Sequence, residues 1–365
     1  MTPFRIYSDR ELLPPGWENG HITILTPFWG RTAVGSAGWP DYADALIAEG
    51  RQFLELTPLA EADVAVFPLM GRLLLREEDG PERARAFADA AGATGTPPVF
   101  FFDHADTRGH LDPPFPVPEA FVFRGSLFRP RRGAREFALP GFHEDIVAAA
   151  GGTVPVRTRR DPVVSFCGSV IGEPPKPVGR RRFRRVLGDA RRLAWRLQGR
   201  DEDDLFVRAR AIEALRAQDD VDTSIVVRES GGGGTWGTFE QGAWDVARRE
   251  FVENMVDSDY VLCARGDGNW SIRLYEALCL GRIPVIVDTD LVLPYDFLLP
   301  WREYGVWLDR DEVGDIGSKV AEFHERLSDS EFRDLQLELR HLWERYLSPV
   351  GFFRHLHLHF ASTAK

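Results

Sequence analysis

The chain has 365 residues, of which 44% are hydrophobic and 28% charged, and its formal net charge is -11. Its length predicts about two domains with sizeable cores. The acidic balance argues against a protein that binds nucleic acid or anionic lipid broadly. The N-terminus lacks the basic flank and apolar core of a signal peptide, and no apolar run approaches the roughly 20 residues that span a bilayer. We therefore expect a cytoplasmic protein without a transmembrane segment.

Short apolar runs alternate with helix-compatible stretches through the first 150 residues. Helices are predicted at 41–56 and 81–91. Strands are predicted at 21–25, 64–67, 97–102, 120–124 and 136–139. Runs this short and apolar are typical of parallel strands that helices cover on both faces. The first part of the chain therefore predicts an α/β domain.

A second α/β series follows, and residues 313–360 are predicted to be helical. Its strands are predicted at 162–167, 223–228, 259–263, 283–287 and 305–308. Residues 151–162 have the glycine, proline and charge of a linker, which favours two Rossmann-like domains. One large sheet is the alternative.

The stretch CARGDGNWSIRLYEALCLGRIPVIV, residues 263–287, has the pattern of a βαβ unit. The first strand ends at Cys263. A helix is predicted from Ser271 to about Leu280, and Gly281 supplies its left-handed end. Ligands of open α/β sheets bind beyond the carboxyl ends of the strands, where free helix amides favour an anion. The junction therefore predicts a phosphate or diphosphate site.

Charged residues and glycines in this junction fit an anion site. Arg265 in the loop and Arg273 in the first helical turn add positive charge. Gly266 and Gly268 permit close approach of a ligand to the backbone. Glu276 shares a helix face with Arg273, and its carboxylate offers two acceptors for a ribose diol. A surface salt bridge between Arg273 and Glu276 is the alternative.

The stretch from Cys263 to Trp301 resembles the C-terminal signature of the exostosin family of glycosyltransferases. It contains R-x-x-E-A-L, then G-x-I-P-V-I, then L-P-Y and a tryptophan. Weaker fragments precede it in order, namely EADVAVFP at 61–68, FFFDHAD at 100–106, FALPGF at 137–142 and VVSFCGS at 163–169. The resemblance spans about residues 60–301.

The resemblance implies a GT-B architecture, in which two Rossmann-like domains with parallel sheets face an inter-domain cleft and helices follow at the C-terminus. We accordingly expect an N-terminal, acceptor-side domain over 1–155 and a nucleotide-sugar-binding domain over 156–345. A helical tail over 346–365 is expected to pack back on the N-terminal domain.

The resemblance also implies an activity and a set of donor-site residues. The activity is transfer of a sugar, with inversion and without a metal or other cofactor, from a nucleotide sugar, usually a UDP-sugar, to a saccharide or other hydroxyl-bearing acceptor. By match to the motif, the donor site contains Arg265, Ser271, Arg273 and Glu276, with Glu276 on the ribose and the arginines near the diphosphate. Many family members are membrane-anchored, whereas we expect no anchor in this chain, so the resemblance does not identify the acceptor.

Inverting transfer needs a base that deprotonates the acceptor hydroxyl. Asp103, His104 and Asp106 follow the predicted strand at 97–102, at what should be its carboxyl end, and form our hypothesis for that base. In the alternative, an aspartate caps the next helix and His104 satisfies a buried carbonyl.

Two further glycine-rich segments, 28–38 and 231–234, are candidates for contact with the ligands. The first follows a predicted strand and could approach the sugar or the acceptor. The second could form a lid or contact the nucleobase, and Arg228 or Glu229, shortly before it, could assist there. Both segments are equally compatible with ordinary turns.

Several patterns have a structural interpretation that we favour over a functional one. The triplet Asp288-Thr289-Asp290 is similar to a D-x-D metal motif but lies where a turn is expected. The alternating histidines His355, His357 and His359 would suit a metal only on a strand, and this tail is predicted helical. The basic stretch at 178–200 could bind an anionic saccharide but fits a solvated helix better.

The three cysteines, Cys167, Cys263 and Cys279, have neither a disulfide framework nor zinc-ligand spacing. We expect reduced thiols, with Cys263 and Cys279 in the core. The rival function is a catalytically inactive nucleotide-sugar or glycan-binding protein with the same fold. A nicotinamide enzyme is disfavoured because no strand is followed by G-x-G-x-x-G. The sequence leaves the oligomeric state open.

Overall fold

The computed structural model divides the chain into two compact units. The first contains Met1–Asp145, Val292–Pro300 and His341–Lys365, and the second contains Ile146–Leu291 and Trp301–Arg340. The structure describes residues 2–32, 42–102, 115–158, 160–170, 206–228, 241–266 and 268–362.

The first unit is built on a six-stranded sheet in which all neighbouring strands are parallel. The strands are β1 (Phe4–Tyr7), β2 (Leu54–Leu56), β3 (Val64–Val66), β4 (Pro98–Phe102), β5 (Phe121–Arg124) and β6 (Glu136–Ala138). Their order is β2-β1-β3-β4-β5-β6. Every residue of β3, β4 and β5 is buried, as the continuous apolar runs predict for strands covered on both faces.

The second unit is built on a five-stranded parallel sheet. The strands are β7 (Val163–Ser169), β8 (Asp222–Arg228), β9 (Tyr260–Leu262), β10 (Ile283–Asp288) and β11 (Val306–Asp309). Their order is β11-β10-β9-β7-β8, with β7 between β8 and β9. The two sheets confirm the predicted α/β class with two parallel-sheet domains.

Helices connect the strands and extend to the C-terminus. The α-helices of the described residues are α1 (Thr26–Trp29), α2 (Ala43–Glu49), α3 (Gly71–Leu74), α4 (Gly80–Ala93), α5 (Val207–Arg216), α6 (Gln241–Val256), α7 (Ile272–Cys279), α8 (Ile316–Glu325), α9 (Asp329–Leu342), α10 (Pro349–Arg354) and α11 (His357–Ser362). A π-helical turn, Trp343–Leu347, lies between α9 and α10. Within the described ranges, no helix combines the length and apolar composition needed to cross a bilayer.

The C-terminal helices pack within the first unit through aromatic side chains. The rings of Phe353 in α10 and Phe101 in β4 lie 6.1 Å apart, and those of Phe352 and Phe142 lie 5.7 Å apart. Aromatic pairs at these separations contribute beyond the apolar area that they bury. Residues 341–365 therefore belong to the same unit as the N-terminal sheet.

The strand predicted at 21–25 is wrong. His21 forms an isolated bridge to Leu69, Thr23–Leu25 is a 3-10 turn, and the chain continues directly into α1. Pro27 has no amide hydrogen to donate to a ladder and fits the first turn of a helix. The run is apolar because Ile22, Ile24 and Leu25 are buried, which periodicity alone cannot distinguish from a buried strand.

The predicted helix at 41–56 is longer than the observed helix α2, Ala43–Glu49. α2 ends at Glu49, and the chain turns at Gly50 into β2, which pairs with β1. A Cβ on Gly50 would lie 2.3 Å from Pro27 Cγ, so a close approach fixes this turn. The pattern of the sequence did not identify β1 or β2, because each is short and has at most one fully buried residue.

Candidate functional site

The strand order of the second unit creates a topological switch point between β7 and β9. The chain leaves β7 for β8 on one side and later adds β9 on the other. The connections that follow the two strands therefore diverge, and in open α/β sheets ligands bind in the crevice that this leaves. Gly168 and Ser169 end β7, and residues 263–266 follow β9.

Arg273, in the first turn of α7, reaches the end of β7. Its Nε donates to the Cys167 carbonyl oxygen at 2.9 Å, and its guanidinium carbon lies 4.5 Å from the centre of the Phe166 ring. The residue is only 6% exposed. Burial lowers the pKa of Arg273, and the negative charge of Glu276 partly offsets this effect. The guanidinium is thus held in place by a carbonyl and an aromatic ring.

Glu276 is completely buried, at 0% exposure, and pairs with a residue of another helix. Its Oε1 accepts a hydrogen bond from Nη1 of Arg248, in α6, at 3.0 Å. Its Oε2 has no hydrogen-bond partner among the described residues. Arg273 and Glu276 form no ion pair with each other, so the surface salt bridge that was the alternative for them is wrong.

Arg208, at the start of α5, ties the ends of two strands together. Its Nη1 donates to the Ser169 carbonyl at 3.0 Å, and its Nη2 donates to the Ala264 carbonyl at 2.9 Å. Burial, and then the positive charge of Arg273, lower its pKa, and Arg265 acts in the same direction. Three guanidinium groups thus influence one another at the carboxyl edge of the sheet.

The loop between β9 and α7 is anchored to the turn after β10. Asn269 donates from Nδ2 to the Thr289 carbonyl at 3.1 Å, and the Thr289 hydroxyl donates to Asn269 Oδ1 at 2.6 Å. Gly266 lies against Arg208, whose Nη2 would be 3.2 Å from a Cβ there. Gly268 is buried beside Asn269. The predicted glycines therefore lie in a fixed loop.

Ser271 precedes α7 in an extended conformation, with φ -139° and ψ 120°. Its side chain makes no capping hydrogen bond, and its buried Oγ has no partner among the described residues. The helix itself runs as predicted, and Gly281, which follows it, has a φ of 66° as a left-handed terminus requires. The hydroxyl of Ser271 therefore adds a donor beside the first turn of α7.

Arg228 at the end of β8 is engaged within the protein. Its Nη2 donates to the Ala247 carbonyl at 2.6 Å and to Glu250 Oε2 at 2.7 Å, both in α6. These contacts connect the edge strand to the helix that also carries Arg248. Arg228 therefore has a structural role besides the contact with a nucleobase that we predicted for it.

The carboxylates of the D-x-D triplet each face an arginine. Asp288 lies 3.4 Å from Arg302, and Asp290 lies 2.7 Å from Arg310. In the described part of the chain, no three histidine, cysteine or acidic side chains cluster as metal ligands would. The sequence motif thus corresponds to two separate ion pairs.

The tail histidines do not converge either. The tail is helical, as predicted, and the His355 and His357 rings lie 6.4 Å apart. His359 is buried among aromatic rings, and burial lowers its pKa to about 3. His359 is therefore a core residue.

None of the three cysteines forms a disulfide, and Cys263 and Cys279 are buried as predicted, as is Cys167. Burial raises the pKa of the Cys167 thiol and that of Cys263, although the Arg273 charge opposes both shifts. Protonated thiols in this setting are inert. The cysteines therefore supply backbone and packing to the site rather than a nucleophile.

Some predicted residues lie outside the described part of the chain. These are residues 33–38 of the first glycine-rich segment, Asp103, His104 and Asp106, residues 178–200 and residues 231–234. Conversely, the sequence pattern did not single out Gly168, Arg208 and Arg248. The fragment VVSFCGS contains Gly168 and was noticed as a weak resemblance, but the two arginines lie on helices without a motif.

Comparisons with known proteins agree with the signature found in the sequence. The model of the exostosin GT47 domain matches residues 139–323, about half of the chain. A probable glucuronosyltransferase of Oryza sativa subsp. japonica is 43% identical over 68 residues, which are 19% of this chain and 16% of that protein. A probable beta-1,4-xylosyltransferase of Arabidopsis thaliana is 41% identical over 63 residues, which are 17% of this chain and 15% of that protein.

The match with these relatives thus covers only about a sixth of their own length. Among solved structures, an S. aureus TarM mutant in complex with fondaparinux, alpha-GlcNAc-glycerol and UDP has a TM-score of 0.37 and 12% identity. That alignment covers 81% of this chain and 55% of the TarM chain.

Proposed function

Since the chain belongs to the exostosin GT47 family, we propose that it is an inverting glycosyltransferase that uses a nucleotide-sugar donor, a UDP-sugar, and a saccharide or other hydroxyl-bearing acceptor. Transfer proceeds without a metal ion or another cofactor. The matched relatives are named as glucuronosyl- and xylosyltransferases, which supports transfer of a sugar.

One observation carries this proposal. Arg208 and Arg273 place positive charge at the switch point of the second sheet, and their guanidinium groups contact carbonyl oxygens and aromatic rings. Carbonyls orient a guanidinium but do not neutralise it. A buried group of cations is stabilised by an anion, and charge-assisted bonds to phosphate contribute about 1.5–3 kcal/mol each. In a sugar transferase, the anion that would bind these guanidinium groups is the diphosphate of the nucleotide-sugar donor.

The same groups fit the chemistry of the leaving group. As the glycosidic bond to the diphosphate breaks, negative charge grows on the nucleotide. Fixed guanidinium groups and the amides at the start of α7 would stabilise that charge without reorganising. Arg273 is held by its contacts with the Cys167 carbonyl and the Phe166 ring, which suits this role.

Glu276 would bind the ribose of the donor, because a carboxylate oxygen accepts from a hydroxyl. The acceptor hydroxyl must lose its proton as it attacks the anomeric carbon. We assign that step to the segment Asp103, His104 and Asp106, which directly follows β4.

The proposal is tested by thermal shift with uridine, guanosine and thymidine diphosphates, followed by transfer assays with a panel of UDP-sugars. A ligand held only by the folded state raises the melting temperature as its concentration rises. We expect UDP to give the largest shift. Glu276→Gln should reduce the shift, whereas Glu325→Gln, at an exposed position of α8, should leave it unchanged.

Three results of the nucleotide-binding test would contradict the proposal or part of it. A shift with guanosine or thymidine diphosphate but not with UDP contradicts the donor assignment. Tight UDP binding without turnover on any acceptor would instead support an inactive binding protein. A lack of binding to all three nucleotides would reject the proposed function.

A further inference from the structure

The ion pair between Arg248 and Glu276 is buried on both sides. Glu276 is 0% exposed and Arg248 is 9% exposed. The two residues come from different helices, α6 and α7, so the pair is not an incidental neighbour contact along one helix. Breaking such a pair by removing one partner leaves an uncompensated buried charge. The side chain of Glu276 therefore depends on Arg248 for its orientation.

The pair uses only half of the acceptor capacity of the carboxylate. Arg248 binds Oε1, while Oε2 is buried and has no partner among the described residues. A buried acceptor without a partner is costly, and native proteins rarely leave one unexplained. Glu276 also acts electrostatically on Cys167 and Cys263, at the ends of β7 and β9. Its free oxygen is thus a second, independent indication of a ligand at the switch point.

We propose that Arg248 is a positioning residue that fixes Glu276 with one oxygen committed to the protein and the other available to a ligand hydroxyl. The inference rests on the proposed function, in which that ligand is a nucleoside diphosphate. The ribose contact already assigned to Glu276 supplies the measurable quantity, because the site should bind a ribonucleotide more tightly than its 2′-deoxy counterpart. A donor without the 2′-hydroxyl loses a hydrogen bond to a buried, charged acceptor.

The helix α6 supplies a matched control. Arg249 is the next residue of the same helix and has the same charge, but it is exposed. A change at Arg249 alters the net charge of the protein as a change at Arg248 does. It does not touch Glu276.

The experiment measures the dissociation constants of the wild type and of the variants Arg248→Met, Arg248→Lys, Glu276→Gln and Arg249→Met for UDP and for 2′-deoxy-UDP, by calorimetry. Melting temperatures of the unliganded variants are measured in parallel. We expect the wild type to prefer UDP by about 10- to 100-fold, the range of one charge-assisted hydrogen bond. Arg248→Met and Glu276→Gln should reduce this preference to about threefold or less.

The lysine variant keeps the proposal testable if the methionine variant does not fold. A lysine at 248 retains the charge but not the fork of donors, so an intermediate preference is expected. A merely structural role would lower the melting temperature and leave the ratio of the two constants unchanged. The Arg249→Met variant should match the wild type.

The outcomes distinguish a failure of the proposed function from a failure of the inference about Arg248 and Glu276. If the wild type binds neither nucleotide, the proposed function is overturned and this inference with it. If the wild type binds both nucleotides equally, or if the Arg248 variants that fold keep the full preference for UDP, only the inference about Arg248 and Glu276 is overturned.

Discussion

The guanidinium of Arg273 occupies the space in which a side chain at position 168 would begin. A Cβ built on Gly168 would lie 1.8 Å from Arg273 Nη2. Gly168 also has a φ of 148°, a conformation that residues with a side chain rarely adopt. The end of β7 is therefore shaped around the arginine, and the two residues form one structural unit of the site.

We predict that Gly168→Ala displaces Arg273 and weakens UDP binding. Losing the carbonyl contact and the stacking position of the guanidinium should raise the Kd for UDP by at least about tenfold. The strained φ should also lower the melting temperature. Calorimetric titration with UDP and thermal unfolding measure the two effects.

Gly92→Ala is the control for that substitution. Gly92 lies in α4 of the other unit, and nothing lies within 4 Å of a Cβ there. Gly92 is the penultimate residue of α4, so alanine should change the free energy of unfolding by less than about 1 kcal/mol and leave UDP binding unchanged. Equal UDP affinity in both variants would show that Gly168 does not position Arg273 for the ligand.

We predict that Arg273→Lys weakens UDP binding although it keeps the charge. Lysine lacks the planar group that both stacks on Phe166 and donates to the Cys167 carbonyl. The Kd for UDP should rise about 10- to 100-fold, as for the loss of one or two charge-assisted bonds. Arg333→Lys, at an exposed position of α9, should have no effect. Wild-type affinity in Arg273→Lys would exclude a directed guanidinium contact.

We predict that transfer does not depend on a divalent cation. Asp288 pairs with Arg302, and Asp290 pairs with Arg310. The two carboxylates are therefore not arranged to bind one metal ion together. EDTA should leave the rate of transfer unchanged, and Asp290→Asn should change it less than twofold, in line with a partly exposed ion pair of small free energy. Strict dependence on added manganese would contradict this prediction.

We predict that one of the variants Asp103→Asn, His104→Gln and Asp106→Asn lowers kcat by about 100- to 10,000-fold, the usual contribution of a general base. The Kd for UDP should stay at the wild-type value in that variant, because the base acts on the acceptor. Steady-state kinetics and UDP titration give the two quantities. If all three variants retain full kcat, the base lies elsewhere.

We predict that acid destabilises the protein partly through His359. Its ring lies 5.0 Å from that of Phe123 and 4.5 Å from that of Tyr295, and burial lowers its pKa from 6.5 to about 3. Between these two values the unfolded chain binds the proton and the folded protein does not. The free energy of unfolding should therefore fall with decreasing pH below 6.5, by up to about 1.4 kcal/mol per pH unit.

The variant His359→Phe keeps an aromatic ring in that position and removes the titrating group. Its free energy of unfolding should depend less on pH between 6.5 and 3 than that of the wild type. Burial also lowers the pKa of His21 and His355, so some slope should remain. His341→Phe, at an exposed position, is the control. Identical slopes in His359→Phe and the wild type would contradict a buried, neutral His359.

The sequence by itself determined the fold class and the location of the candidate site along the chain. Buried parallel strands are continuous apolar runs, which made β3 to β5, β9 and β10 predictable, and apolar runs also indicated the less completely buried β6, β7, β8 and β11. The βαβ segment from β9 through α7 to β10 was predictable as well. Its strand, helix and terminal glycine are adjacent in the sequence, and each has a local physical signal. β1 and β2, with one fully buried residue each, lacked that signal.

Only the tertiary structure decided what surrounds Arg273 and Glu276. Gly168 and Arg208 lie 105 and 65 residues before Arg273, and Arg248 lies 28 residues before Glu276. No periodicity in the sequence connects these positions. The order of the strands, with β7 between β8 and β9, brings these elements to one edge of the sheet. Spacing along a helix suggested a bond between Arg273 and Glu276. In the folded protein Arg273 instead donates to the Cys167 carbonyl, and Glu276 accepts from Arg248, because buried polar groups need hydrogen-bond partners.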